Sequence, residues 1–219
     1  MKVILEGVVG STAYGLANAD SDIDIRGVFL YPTEQILSLS KGAETIDRTE
    51  PDVTHHEVEK FVRLAANGNP NILEMFWLTG YTQLTIEGQL LLDIREAFLS
   101  QRVRKTYGGY AIAQMKRLQE RGDGSFKSKL RKRRAKHARH CVRLLMQGHE
   151  ILTTGQLTVD ISEHRDFLYA MGEAEEEDLV GVAAYFKDAM DNAPTELPEH
   201  PDYEAINAAL LSIRKFNLG

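Results

Sequence analysis

The sequence contains a single cysteine, Cys141, so no internal disulfide can form and nothing in it asks for an oxidising compartment. It has no apolar run near the ~20 residues a bilayer span requires, so no membrane association is expected. The apolar stretch from Met1 to Val9 is too short for a signal peptide and has no clear cleavage site. It reads as a buried first strand, and a cytoplasmic location is the expectation. His55 and His56 lack Cys or His partners at ligand spacing, which argues against zinc. There is no internal repeat.

What remains is the profile of a soluble globular chain: 219 residues, 43% apolar and 26% charged. That length supports one domain or two small ones. The net charge of −6 is unevenly spread. Nine cations and no acid fall between Phe126 and Arg143, whereas Glu173 to Asp178 is almost entirely acidic. The acidic run reads as a solvated first helical turn favoured by the helix dipole.

The most informative stretch is Gly10 to Arg26. A Gly10-Ser11 turn is followed, eleven positions on from Ser11, by Asp22-Ile23-Asp24-Ile25-Arg26, which alternates with the period of a strand. That alternation puts Asp22, Asp24 and Arg26 on one face, with Ile23 and Ile25 on the other. Two carboxylates side by side repel and call for a cation between them. Hard oxygen donors suit Mg²⁺, with Mn²⁺ as an alternative. The Gly-Ser turn offers backbone N–H groups and a hydroxyl where a phosphate could sit. Together these features suggest nucleotidyl transfer from an NTP.

Along the chain, residues 1–30 read as strand, phosphate turn, short helix and strand. A short helix then runs from Thr33 to Leu39, followed by a strand pair over residues 44–56 that breaks at Pro51. From Glu57 the pattern is helical to Asn67-Gly68, and Asn69-Pro70 opens another helix. Beyond Gly80 strand-like stretches disappear. Helices are expected near 84–98, 101–121, 127–153, 162–170, 174–192 and 202–215, with a flexible interruption at Gly122–Ser125. The expected architecture is α/β (α+β): a small mixed-sheet head over residues 1–80 and an α-helical half over 81–219.

Two-metal nucleotidyl transfer uses a third carboxylate. Asp52 is the candidate, because it begins a strand whose same-face partners are Thr54 and His56, although it also reads as a turn residue after Pro51. Glu57, where the strand turns into helix, is the second choice. Arg26 either contacts phosphate or neutralises the aspartates. On the basic helix, Lys136, His140, Arg143 and Gln147 fall within about 60° of one another at 100° per residue, with Ala138, Cys141, Val142 and Leu145 opposite. One side can therefore pack while the other presents cations. Tyr110, Gln114 and Arg117 form a similar line, in which Tyr110 also reads as half-buried packing.

Gly10-Ser11, Ala13-Tyr14-Gly15 and Asp20-Ser21-Asp22-Ile23-Asp24-Ile25-Arg26-Gly27 closely resemble the DNA polymerase β-like nucleotidyltransferase superfamily. They look most like its branch of predicted nucleotidyltransferases associated with RNA ligases. The resemblance continues through Asp52-Val53-Thr54 with Glu57-Val58, Asn69-Pro70-Asn71-Ile72-Leu73-Glu74, Tyr107-Gly108-Gly109-Tyr110-Ala111 and Lys136-His137-Ala138-Arg139-His140 followed by Arg143-Leu144-Leu145. It covers roughly residues 5–155. It implies a small mixed sheet with helices, a helical C-terminal part and Mg²⁺-dependent transfer of a nucleoside monophosphate. By matching position Ser11 would hold the triphosphate, and Asp22, Asp24 and Asp52 would be the metal carboxylates. Gly10, Tyr14, Arg26, Lys136, His140 and Arg143 complete the expected nucleotide contacts. RNA is the expected acceptor, through the basic helix 127–143.

Three other readings compete. A protein hydroxyl could replace RNA as acceptor. A sugar transferase also uses Asp-x-Asp, but it needs a long nucleotide-binding half before that motif, and only 21 residues precede Asp22. A non-catalytic RNA-binding module would not need all three carboxylates.

Overall fold

The computed structural model describes residues 1–39, 41–119 and 128–216. The described chain forms two compact units, one of Met1–Leu99 with Pro201–Gly219, the other of Ser100–His200.

The first unit is built on a mixed five-stranded sheet of order β3-β4-β2-β1-β5. β1 (Lys2–Val9) leads through the one-turn α1 (Gly10–Ala13) into β2 (Asp24–Leu30), its antiparallel neighbour. After α2 (Thr33–Leu37), β3 (Thr45–Thr49) and β4 (Asp52–Glu57) form a hairpin whose tight turn contains a cis Glu50-Pro51 bond. β4 lies parallel to β2, and the two-residue β5 (Gln83–Leu84) covers the other edge. β5 corrects the expectation that strands end before Gly80. Two residues pairing with Leu5 and Glu6 carry no alternation that a sequence pattern could reveal.

α3 (Val58–Ala66) buries Val58, Phe61, Val62, Ala65 and Ala66, the stripe its sequence spacing requires. Asn69 caps α4 (Pro70–Leu73) by accepting from the Asn71 N–H at 3.0 Å, and Pro70 fills the first turn, where its missing N–H costs nothing. A 3-10 turn, Glu74–Trp77, follows. The Phe76 ring stacks on Phe98 with centroids 4.7 Å apart and meets Phe61 at 5.3 Å, so aromatic side chains dominate this core. α5 (Ile86–Asp93) and the 3-10 turn Arg95–Phe98 replace the single helix expected at 84–98.

The second unit is helical. It contains α6 (Arg102–Gln119), α7 (Ser128–Thr154), α8 (Arg165–Glu173) and α9 (Glu176–Asp191). Arg104 donates to the carbonyls of Met190, Asp191 and Ala193, capping the negative end of α9 with a guanidinium. Cys141 is buried, and burial pushes its thiol up to about 11, so it behaves as a core side chain. Lys127 and the Gly122–Ser125 interruption lie outside the described residues.

The chain finishes in the first unit with α10 (Tyr203–Lys215). Asp202 caps it by accepting from the Ala205 N–H at 3.0 Å, and near its other end Arg214 forms a bidentate pair with Glu57 at 2.7 and 3.0 Å. Thr33 adds a bond to the Arg214 carbonyl at 2.7 Å. Among the described residues no helix is long and apolar enough to cross a membrane.

Candidate functional site

β2 and β4 pair in parallel with Asp24 opposite Asp52, Arg26 opposite Thr54 and Val28 opposite His56. Residues level with each other on adjacent parallel strands project to the same face. Asp24 and Asp52 therefore stand next to each other at the starts of two neighbouring strands. Asp52 is exposed and Asp24 half-buried. Asp52 opens β4 rather than belonging to the turn after Pro51.

Asp22 is placed differently from expectation. β2 starts at Asp24, so Asp22 and Ile23 sit in the extended segment before it, both exposed. The alternation that made Asp22 a strand residue extends past the point where hydrogen bonding to β1 ends, at the Val9–Asp24 pair. Ile23 is accordingly 59% exposed, whereas Ile25 within β2 is half-buried.

Gly10 adopts φ +68°, the left-handed region that favours glycine, and a β-carbon there would collide with the Asp24 carboxylate. Only a glycine lets the turn approach Asp24 this closely. Gly10 thus abuts the Asp24 carboxylate, and Asp52 adjoins Asp24 through the sheet register.

Arg26 shares the face of Asp24 and is anchored elsewhere. It donates to the Asn71 carbonyl at 3.0 Å and to Glu74 Oε1 at 3.2 Å. The Tyr14 hydroxyl donates to Glu74 Oε2 at 2.7 Å. The buried Glu74 carboxylate thus ties the residue after α1 to β2. The sequence reading did not give Glu74 a role, although its setting carried a signal. An acid within Ile72-Leu73-Glu74-Met75-Phe76 is buried only with partners.

Glu57 lies on the opposite face from Asp52, five positions along the same strand. Its Oε2 accepts from the Glu59 N–H at 2.9 Å at the start of α3, and its carboxylate binds Arg214. A carboxylate held in this way is structural, and it does not join Asp24 and Asp52. The two histidines diverge for the same reason of alternation. His56 Nδ1 meets Thr45 Oγ1 at 3.0 Å on the aspartate face. Burial first, then the Lys60 and Arg26 cations, holds its pKa below the usual histidine range, with Asp47 opposing. His55 Nε2 lies 2.8 Å from Glu6 Oε2 on the other face, reaching across Gly27. A β-carbon on Gly27 would come within 2.7 Å of the His55 ring, so this pair requires a glycine between its strands.

In the second unit Lys136 is exposed, while Arg143 and Gln147 are buried at 2% and 3% exposure. The expected open cationic face is therefore closed at its C-terminal end. Arg143 donates to Gln147 Oε1 at 2.6 Å and to His140 Nδ1 at 2.8 Å. Burial first, and next the charge of Arg143, holds the His140 pKa well below the ordinary histidine range. Earlier on α7, Arg131 pairs with Glu173 at 2.5 Å, Arg134 donates to the Ala174 carbonyl and Arg139 lies over the Tyr169 ring. Tyr110 is half-buried on α6.

The carboxylate donor set fits a hard divalent cation, since Asp24 and Asp52 are level on neighbouring strands and Asp22 is two residues upstream. Among the described residues, no three such groups are already gathered at ligating distance.

Sequence comparison identifies the family. Residues 1–208 match RlaP, the RNA repair pathway DNA polymerase beta family. The chain belongs to this family. It is also 29% identical over 130 residues to an uncharacterized 38.9 kDa protein from the nrdC-mobD intergenic region of Enterobacteria phage T4, covering 52% of this chain and 38% of that protein. It is 31% identical over 107 residues to the uncharacterized protein YcgL of Bacillus subtilis (strain 168), covering 45% of this chain and 40% of YcgL. The matched region thus spans about two fifths of each of these relatives. Family membership makes the chain polymerase β-like and associates it with RNA repair.

Proposed function

We propose that the protein is a nucleotidyltransferase that moves a nucleoside monophosphate from an NTP to an RNA end in the cytoplasm. The observation that carries this reading is the parallel register that sets Asp24 beside Asp52, with the Gly10 turn against the Asp24 carboxylate.

Asp22, Asp24 and Asp52 would hold Mg²⁺, or Mn²⁺ in its place, which supplies positive charge to the phosphate oxygens and favours ionisation of the attacking hydroxyl. Gly10 and Ser11 bind the β- and γ-phosphates through backbone N–H groups and the Ser11 hydroxyl. Asp52 accepts the acceptor proton as the acceptor oxygen bonds to the α-phosphorus and the bond to pyrophosphate breaks. Arg26 and Tyr14, both joined to Glu74, keep the strand and the turn in place around the bound nucleotide. Lys132 and Arg133, exposed on α7, meet the RNA backbone.

The test incubates each of the four radiolabelled NTPs with total RNA and total protein in the presence of Mg²⁺. Label in RNA that depends on Asp24 supports the reading. Label in protein alone moves the acceptor to a protein hydroxyl. RNA binding without release of pyrophosphate from any NTP leaves a non-catalytic RNA-binding module.

A further inference from the structure

The face of the β3–β4 hairpin that carries Asp52 carries a row of hydroxyls as well. Alternation puts Thr54 and His56 on the same side of β4 as Asp52. The antiparallel register sets Thr49 opposite Asp52, Asp47 opposite Thr54 and Thr45 opposite His56. Asp47, Thr49 and Asp52 are exposed and Thr54 is half-buried, so this part of the face meets solvent.

Thr54 Oγ1 donates to Asp47 Oδ1 at 2.8 Å. A hydroxyl has one proton and two lone pairs, and an ionised carboxylate only accepts. Asp47 therefore takes the proton of Thr54 and leaves its oxygen as a fixed acceptor. Thr54 follows Asp52 by two residues, a spacing of about 6.6 Å along a strand. Further along the face, His56 Nδ1 meets Thr45 Oγ1 at 3.0 Å, and the Lys60 ammonium donates to that same hydroxyl. His56 is four residues on from Asp52, or about 13 Å. The face thus runs from a carboxylate, through an acceptor oxygen, to a cation.

We propose that Thr54 reads the 2′-hydroxyl of the acceptor's terminal ribose, with Asp47 as its positioning residue. The inference rests on the nucleotidyl-transfer reading, in which the attacking 3′-hydroxyl gives its proton to Asp52. On a ribose the 2′-oxygen is vicinal to the 3′-oxygen, and one hydrogen bond of about 2.7 Å at each end of that pair bridges the spacing from Asp52 to Thr54. An oxygen that can only accept selects a group that donates. Ribose supplies such a group at the 2′ position and deoxyribose does not, which makes the 2′-hydroxyl the mark by which a site tells RNA from DNA. Lys60, further along the face, supplies the positive charge that a phosphate of the same strand requires.

The experiment uses the full chain with Mg²⁺, the four NTPs and one oligoribonucleotide whose last ribose is natural, 2′-deoxy or 2′-fluoro. Fluorine keeps the sugar pucker of RNA and cannot donate. Label transfer and equilibrium affinity are both measured for each end. The natural end is expected to exceed the other two about tenfold in kcat/KM, the scale of one hydrogen bond. Thr54→Val keeps the branched shape and removes the oxygen, so transfer to the natural end should fall until the ratio between ends is about one. Asp47→Ala releases the Thr54 hydroxyl to donate and should lower the ratio, whereas Asp47→Asn, whose carbonyl still accepts, should retain it. A pair that only braces the hairpin would slow all three ends alike in these variants, and that result overturns the proposal. So do equal rates and affinities for the three ends in the parent, a comparison that needs no variant to fold. If no NTP is turned over while the affinity preference persists and is lost in Thr54→Val, nucleotidyl transfer fails and the ribose contact stands. Turnover without preference gives the reverse.

Discussion

The two units treat charge in opposite ways. In the first, the buried acids have partners: Glu57 with Arg214, Glu74 with Arg26 and Tyr14, and Glu87 with Lys2. Asp22 and Asp52, by contrast, are exposed and in no ion pair among the described residues, as are other surface acids such as Glu34 and Asp93; what sets Asp52 apart is its register beside Asp24. In the second unit the sequence shows an excess of cations, yet several are consumed by structure. Arg104 caps a helix, Arg131 and Arg134 bind the C-terminal end of α8, and Arg139 lies over Tyr169. A run of one charge therefore overstates the binding surface, and a pair of neighbouring acids in register understates nothing. The chemistry is to be sought where charges are left over after packing has taken its share.

The sharpest test of that contrast is to neutralise one acid of the carboxylate pair. Asp24→Asn is expected to lower label transfer by at least about a hundredfold, as for loss of a group that stabilises developing charge. Its unfolding midpoint should hold or rise, because Asp24 and Asp52 no longer repel across adjacent strands. Parent-level transfer in this variant would remove the carboxylate site from consideration.

Asp52 and Glu57 share a strand and differ in what binds them. Asp52→Asn should cut turnover by orders of magnitude with a smaller effect on NTP affinity, and leave stability almost untouched. Glu57→Gln should do the opposite. Removing one partner of a buried pair costs about 3–5 kcal/mol, so its unfolding midpoint falls while the residual rate per folded molecule stays near that of the parent. Side-by-side kinetics and calorimetry decide between them, and a large rate loss confined to Glu57→Gln would exchange their roles.

The contrast between these two acids also shows what the sequence could reveal. The strand containing Asp52 was legible from its composition, whereas the parallel pairing that sets Asp24 beside Asp52 was not, because which strands adjoin and in what register is decided by tertiary packing. The partner of Glu57 was not legible, because Arg214 lies 157 positions away on a helix that returns to the first unit only at the end of the chain. Glu74 was hidden for the same reason: Tyr14 is 60 positions distant and Arg26 is 48. Periodicity reports which side of an element is apolar, whereas the partner of a buried charge depends on tertiary packing. The same limit applies to α7, where a helical wheel placed Arg143 on an open face that packing has closed.

Glu74→Gln keeps the shape of the residue and removes the charge that faces Arg26. Hydrogen bonds to charged groups contribute about 1.5–3 kcal/mol, so stability should fall by that order. Transfer should also decline, mainly in kcat, because the turn bearing Ser11 loses its tie to β2. Unchanged kcat and unfolding midpoint would show that Tyr14 and Arg26 are held by other contacts.

On the cationic side, the quadruple change of Arg131, Lys132, Arg133 and Arg134 to Gln tests how much of the run is available to RNA. Arg131 and Arg134 are engaged with α8, whereas Lys132 and Arg133 are exposed and should contribute most. For single-stranded RNA the slope of log affinity against log salt should flatten by about 1.4, corresponding to two phosphate contacts rather than four. A flattening near 2.8 in filter-binding titrations would mean that the contacts to α8 open on binding. No change would make this stretch a solvated helix.

The smallest effect expected is a pH dependence located at His140. Its Nδ1 accepts from Arg143, so a proton can enter only by breaking that bond and placing a second charge beside a buried guanidinium. The folded state accordingly binds this proton more weakly than the unfolded chain, where histidine titrates near 6.5. Stability is therefore at its full value above about pH 6.5 and declines as pH falls below it, by at most about 1.4 kcal/mol per pH unit for one proton. His140→Gln cannot be protonated and should show a flatter profile between pH 6.5 and 5 in chemical denaturation. His56, held low by burial and by Lys60 and Arg26, adds a component of the same sign in the first unit. The double variant His140→Gln, His56→Gln should therefore be flatter still. Parallel profiles for the parent and the His140 variant would mean that the imidazole is protonated in the folded protein, and that its bond to Arg143 does not form in solution.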